Sequence, residues 1–292
     1  AARYACMPRA DTQEATMEIP VTAQELASGK LADERVAQAI GAIQEDGYVV
    51  LEDIVDHDHL DALREKMTED TNTLIGREQW GGAGRIPHHL QQGAPPHAPY
   101  IFPDIVANPI INQVSVALLG EGAYNSFYNG NTNCPGSGTQ PLHMDTGHLW
   151  PDLNPSHPTA TVVVNFALRD VSADGGAIEL WPGTHLVGDV GRRLDDEIEA
   201  TRRAQVPPVR GETKKGAALI RDMRLWHRGV PNPSDTPRHM VALVHNASFL
   251  RRGRALRYVS GCEEAFEGST VDPHADFVPE PFEYLGGYRG PN

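Results

Sequence analysis

The feature that most constrains this chain is a change of period near residue 120. Before it, apolar residues recur at helical spacing; after it, short β-rich runs alternate with turn residues. Val36, Ile40 and Ile43 predict a helix over residues 32–45, and Leu60, Leu63 and Met67 a second over 57–74. A third is expected over 104–119, closed by Gly120, and Gly47-Tyr48-Val49-Val50-Leu51 reads as a strand between the first two. From residue 122 onward the expected strands are 123–128, 140–145, 159–168, 177–180, 217–220, 225–227 and 240–249, with Gly, Pro, Asn and Asp between them. Helices first and strands later predict a β-sandwich carrying an α-helical layer on one side. Residues 75–100, rich in Gly, Pro, His and Gln, read as an active-site loop. Residues 192–203 read as a charged helical insertion with no chemistry of its own.

With 292 residues, the chain can bury a large core without disulfides or a structural metal. Its three cysteines, Cys6, Cys134 and Cys262, are odd in number and lack any CxxC spacing, so neither a disulfide framework nor a zinc ribbon is supported. A reducing cytoplasm is the expected location. The formal net charge of −14 opposes binding to phosphate backbones and argues against nucleic acid as a partner. Arg251-Arg252-Gly253-Arg254 is the local exception and reads as a solvated loop after a strand. No apolar run is long enough to span a membrane. The first residues lack an initiator Met and the apolar core of a signal peptide, so the chain is expected to begin inside a longer open reading frame.

Chemistry concentrates in His143-Met144-Asp145. Positions i and i+2 of a strand share a face, so an imidazole and a carboxylate would project together into a β-sandwich interior. They make two thirds of the facial triad of iron(II) oxygenases. The tripeptide alone is weak evidence, because it arises often by chance. His227, at the end of the apolar run Leu225-Trp226-His227, could be a satisfied core residue or the third ligand. Arg238, eleven positions further on, opens the last long strand, and a hairpin of that length would return it beside the strand of His227. It could form a strand-end salt bridge or fork onto a carboxylate ligand. Charge favours the ligand: iron(II), Asp145, a 2-oxoglutarate dianion and Arg238 sum to zero, which makes their joint burial tolerable.

These residues and their spacing resemble the phytanoyl-CoA dioxygenase family of iron(II)/2-oxoglutarate oxygenases. The likeness covers most of the chain. It runs from the strand at 47–52 through Gln140-Pro141-Leu142-His143-Met144-Asp145 and the 174–185 run DGGAIELWPGTH to Trp226-His227-Arg228-Gly229 and Arg238. It implies a single domain over 1–292 that is mainly β with flanking helices, with a double-stranded β-helix (jelly-roll) core at 121–260. Around the core it implies an arm at 1–20, mostly helical support at 22–120 and a C-terminal extension at 261–292. It also implies that His143, Asp145 and His227 ligate iron, that Arg238 holds the distal carboxylate of 2-oxoglutarate, and that Gln140 and Thr184 touch the same ligand. The expected reaction consumes O2 and 2-oxoglutarate, with ascorbate as reductant in vitro, releases succinate and CO2, and oxidises a small-molecule metabolite. Related halogenases replace the carboxylate with Gly or Ala, so Asp145 favours hydroxylation or another oxidation over halogenation. Desaturation, epimerisation and cyclisation remain variants of the same chemistry. A jelly-roll binding protein that has kept only the scaffold, and a cupin-type enzyme that needs no co-substrate, are the readings from other classes. Tyr128, Trp150, Asn165, Arg85 and His88 are the candidate substrate contacts, and a monomer or homodimer is expected.

Overall fold

The run Val162-Val163-Val164 at the centre of the chain forms a strand with apolar residues on both faces, the signature of a strand buried on two sides. The computed structural model describes residues 18–285 apart from residues 79 and 154–155. In chain order its first half comprises β1 (Glu18–Pro20), α1 (Ala23–Ser28), α2 (Asp33–Glu45), β2 (Tyr48–Glu52), α3 (His57–Gly76), β3 (His89–Gln92), α4 (Pro103–Val106) and α5 (Pro109–Leu119). There follow β4 (Tyr124–Asn133), β5 (Thr161–Ala167), β6 (Ile178–Leu180), α6 (Asp196–Gln205), β7 (Val209–Gly211) and β8 (Ala218–Asp222). The last elements are β9 (His227–Arg228), β10 (Arg238–Asn246), β11 (Leu256–Val259) and β12 (Ala275–Val278).

Seven strands make one sheet in the order β1-β2-β8-β5-β10-β4-β3. Its outer face carries Val49, Leu51, Val162, Val164, Phe166, Ile220, Val241 and Leu243, packed against Ile43, Leu60, Leu63, Met67, Ile111 and Val114 of α2, α3 and α5. The inner face looks across to a small sheet, β7-β6-β9. This is the expected jelly-roll core with its helices on one side.

Several local expectations need correction. The third predicted helix is two, because Pro109 at the start of α5 restricts Asn108 to an extended conformation and Asn108 then caps the new helix. Residues 75–100 are not only loop: β3 pairs antiparallel with β4 at the sheet edge. That strand is hard to read because Gln92, although buried, is polar; its amide is satisfied by Thr71, Thr132 and the carbonyl of Met67. The arm's last residues, Glu18–Pro20, form a strand parallel to β2, while the arm's first seventeen lie outside the described residues. In the C-terminal segment, β12 pairs parallel with β11.

Candidate metal centre

His143 and Asp145 do not lie on a regular strand. Residues 142–144 are an extended segment threaded between β9 and residues 192–194. On one side His143 and His227 exchange backbone hydrogen bonds of 3.1 and 3.0 Å; on the other, Met144 N–H donates to Arg192 O and Leu194 N–H to Leu142 O. The two-residue alternation survives, so both side chains enter the cavity between the sheets. The segment at 192–194 is therefore extended rather than helical, and it braces the His143-Met144-Asp145 tripeptide.

One nitrogen from each histidine and one carboxylate oxygen lie within 4.8 Å of one another. Asp145 Oδ1 is 3.7 Å from His143 Nε2, and Asp145 Oδ2 is 3.5 Å from His227 Nε2. His143 Nδ1 lies 2.8 Å from Pro141 O and His227 Nδ1 lies 2.9 Å from Leu225 O. Only a protonated Nδ1 can donate to a carbonyl, so both Nε2 lone pairs point inward, the tautomer a metal requires. Burial, aided by the neighbouring His227, pushes His143 down to about 3, so it stays neutral and able to ligate. Burial alone would raise the Asp145 carboxyl, but the charges of His227 and Arg221 outweigh it and hold it well below the ordinary range. The Arg221 Nη2 to Asp145 Oδ2 distance is 2.6 Å. Two imidazoles with their Nε2 atoms turned inward and an ionised carboxylate on one face of a common point fit a divalent iron.

Arg238, at the start of β10, lines the same cavity. It is not beside His227 in one sheet, as the hairpin argument expects; β10 lies in the large sheet and β9 in the small one, so the two face each other across the cavity. Arg238 is 3% exposed, its Nε has no hydrogen-bond partner, its Nη1 reaches Met240 Sδ at 3.8 Å, and no carboxylate pairs with it among the described residues. Burial, with Arg169 and Arg210 nearby, pushes it down to about 10, still charged at neutral pH. A buried cation without a counter-ion is costly and is the environment a carboxylate ligand would relieve. Gln140 also lines the cavity, its Oε1 accepting from Gly229 N–H at 2.9 Å. A Cβ on Gly229 would stand 2.7 Å from both that oxygen and His89 Cε1, so this approach needs glycine. Asn165 lines the cavity as well, and its buried Oδ1 has no partner.

Five other expected contacts are placed elsewhere. Thr184 is fully buried and absent from the cavity wall; its hydroxyl donates to Trp181 O and accepts from Trp226 N–H, so it locks the chain next to His227 instead of touching a ligand. Tyr128 points to the helical face, where its hydroxyl donates to Pro95 O and its ring leans on Tyr258. Trp150 is 53% exposed and rests edge-on against His157, off the cavity wall. Arg85 is exposed on a 3₁₀ turn, and His88 stacks on Trp80; Gly82, Ala83 and Gln91 of that region line the cavity in their place. Sequence reasoning missed Arg221, whose only signal is a charged residue at the end of the apolar strand 217–220.

The fold and the site together define a non-haem, 2-oxoglutarate-dependent oxygenase-type enzyme. Residues 43–240 match the family model described as Phytanoyl-CoA dioxygenase (PhyH), more than half of the chain, and the protein belongs to that family. Among curated proteins it is similar to Uncharacterized protein Rv1501 of Mycobacterium tuberculosis, 26% identical over 212 residues, which are 70% of this chain and 73% of that one. Dioxygenase FrzG of Cladobotryum sp. is 27% identical over 127 residues, 43% of this chain and 37% of FrzG. Among solved structures, the non-heme alpha ketoglutarate dependent carbocyclase SnoK from nogalamycin biosynthesis aligns with a TM-score of 0.56 at 20% identity, covering 78% of this chain and 86% of SnoK. AviO1 from Streptomyces viridochromogenes Tue57 gives 0.56 at 20% identity, covering 74% and 96% respectively. At these identities the two structures support the fold. Among the described residues no helix is long and apolar enough to cross a membrane.

Proposed function

We propose that the chain is a single-domain dioxygenase in which His143, Asp145 and His227 hold iron(II) and Arg238 holds the distal carboxylate of 2-oxoglutarate, and that it hydroxylates a small molecule. The observation that carries this reading is the buried Arg238 guanidinium, without a counter-ion among the described residues, in the same cavity as a correctly tautomerised His-Asp-His cluster. Iron, 2-oxoglutarate and O2 would together supply the oxidising power, releasing succinate and CO2 and delivering one oxygen atom to a substrate C–H bond.

The protein's own part is orientation and exclusion of water. The Pro141 and Leu225 carbonyls fix the imidazole rings, and Arg221 keeps the Asp145 carboxylate ionised and turned toward both of them. Arg238 can take a carboxylate bidentately at one end of the cavity, with Gln140 and Asn165 supplying polar groups along its wall. Asp145 gives iron a carboxylate, which favours oxygen transfer over halogenation. Cys134 and Cys262 are free thiols, in keeping with a reducing cytoplasm.

The test is succinate release from 2-oxoglutarate with iron(II), O2 and ascorbate, with and without candidate substrates. Asp145→Ala should abolish it, and an unchanged rate in that variant would sink the metal assignment. Mass analysis of the product separates hydroxylation, a gain of one oxygen atom, from desaturation or ring closure, a loss of two hydrogens.

A further inference from the structure

The chain carries a net charge of −14, yet the wall of its main cavity is basic. Arg192, Arg221, Arg224, Arg238, Arg252 and Arg254 face two acids, Asp145 and Asp222. Iron(II) and a 2-oxoglutarate dianion would cancel each other, so on the reading above the loaded cavity keeps the same positive excess. Three of the six arginines already have a role. Arg224 forks onto Asp222 at 2.7 and 2.9 Å, Arg221 pairs with Asp145, and Arg238 is assigned to the co-substrate. Arg192 donates only to the backbone oxygen of Asp145, and among the described residues Arg252 and Arg254 have no hydrogen bond or ion pair.

Strand register shows where these free charges stand. Arg238 opens β10 and Asn246 closes it, roughly 27 Å apart at the usual rise of a strand. Arg221, which touches Asp145, pairs through Val163 at the level of Val244, towards the Asn246 end. The co-substrate therefore lies on the Arg238 side of the metal ligands, and Asn246, Leu250, Arg252 and Arg254 line the opposite end. Between them runs an apolar strip of Phe127, Val163, Met223, Ala242 and Val244. Leu149, Trp150, Leu153 and Phe249, large apolar residues exposed by 42 to 68%, belong to the two segments that supply Leu149 and Leu250 to the cavity wall. With a volume of about 1080 Å³, the cavity has room for a substrate as well as the co-substrate.

We propose that the substrate is an amphipathic anion: an apolar body lying on the Phe127–Val163–Val244 strip, with a carboxylate or phosphate held by Arg252 and Arg254. A positive pocket in an otherwise negative surface concentrates anions and fixes the substrate's direction, presenting its apolar part to the metal centre. The basic run 251–254 is thus a specificity element and not merely a solvated loop.

The experiment titrates octanoate, octyl phosphate and octan-1-ol, which share one tail, into the protein loaded with iron(II) and 2-oxoglutarate under nitrogen, following heat by calorimetry. The same titrations are run on metal-free protein. Both acids are expected to bind roughly tenfold tighter than the alcohol. Arg252→Ala/Arg254→Ala should erase that preference and Arg252→Lys/Arg254→Lys should largely restore it, with melting curves confirming that both variants are folded. The tighter of the two acids identifies the class of anionic group. Equal affinities for the three compounds, including no binding by any of them at millimolar concentration, would overturn the proposal. So would an acid preference that survives the alanine pair. If wild-type protein fails to bind 2-oxoglutarate but still prefers the acids, the oxygenase reading falls and the anion site stands; if it binds 2-oxoglutarate without that preference, the reverse holds.

Discussion

Arg238 shows how one side chain can be unfavourable for the empty fold and favourable for the loaded one. Its guanidinium is desolvated without a counter-ion, which costs stability until a carboxylate arrives. Replacing it with methionine should leave the ligand-free protein as stable or more stable by thermal denaturation. The same change should weaken 2-oxoglutarate binding by about 3 kcal/mol, roughly a hundredfold in Kd by calorimetry, and retained affinity would remove Arg238 from the co-substrate site. Arg221 acts in the other direction, stabilising the ionised form of Asp145. Without it the carboxyl should titrate at higher pH, so the acid limb of cobalt(II) binding to Arg221→Met should shift upward relative to wild type. An unmoved limb would deny Arg221 that role. The His-Asp-His cluster was legible because ligand-type side chains at alternating positions in extended segments must share a face. Tyr128 was misread because of a bulge: Ser126 and Phe127 of β4 both stand opposite Val244, between the Leu243–Tyr128 and His245–Asn125 pairs, so the inward parity flips just before Tyr128.

Among the elements, the strongly periodic ones were readable and the polar connectors were not. α2, α3 and the central strands follow their apolar spacing, whereas β3 and the 192–194 segment are held by hydrogen bonds that no hydropathy pattern announces. Asn108 is the clearest junction. Its Oδ1 accepts from Ile110 and Ile111 N–H at the start of α5, and its Nδ2 donates to Ile54 O and Asp104 O, tying the helix to α4 and to the connection that follows β2. Asn108→Ala should destabilise the protein by about 2 kcal/mol, combining a lost cap with buried carbonyls left unpaired. The urea midpoint should fall with its slope unchanged; a midpoint equal to wild type would show that water replaces the amide. α6 has a supporting role that its charge pattern concealed. Glu199 forks onto Arg228 at 3.0 Å through both oxygens, one residue from His227, and thereby anchors β9.

For the whole molecule, the attachment of the helical layer to the large sheet rests partly on two histidines that must stay neutral. His239 and His245 project from β10 towards the helices. His239 lies 3.0 Å from Thr68 of α3 and from Thr132, and His245 lies 2.8 Å from Ser115 of α5. Burial pushes His239 down to about 3, with Arg169, Arg238 and Arg64 adding repulsion, and burial alone pushes His245 down to about 4. In the unfolded chain both should titrate near 6.5. Above that pH they are neutral in both states and stability is complete. As pH falls below about 6.5 the unfolded chain takes up two protons that the folded chain refuses, and stability declines until the folded-state values are reached. These two groups alone contribute a slope approaching about 3 kcal/mol per pH unit between roughly pH 5.5 and 4, and the other histidines pushed down by burial add to it. Urea midpoints measured across this range should fall steeply well before most carboxylates protonate. His245→Gln, which can still hydrogen-bond Ser115 but does not titrate, should make the decline shallower by up to about 1.4 kcal/mol per pH unit, the rest coming from His239 and from other histidines that burial pushes down, His143 and His148 among them. A midpoint that stays level from pH 6.5 to 4, or a His245→Gln profile parallel to wild type, would show that the helices are held to the sheet without regard to these imidazoles.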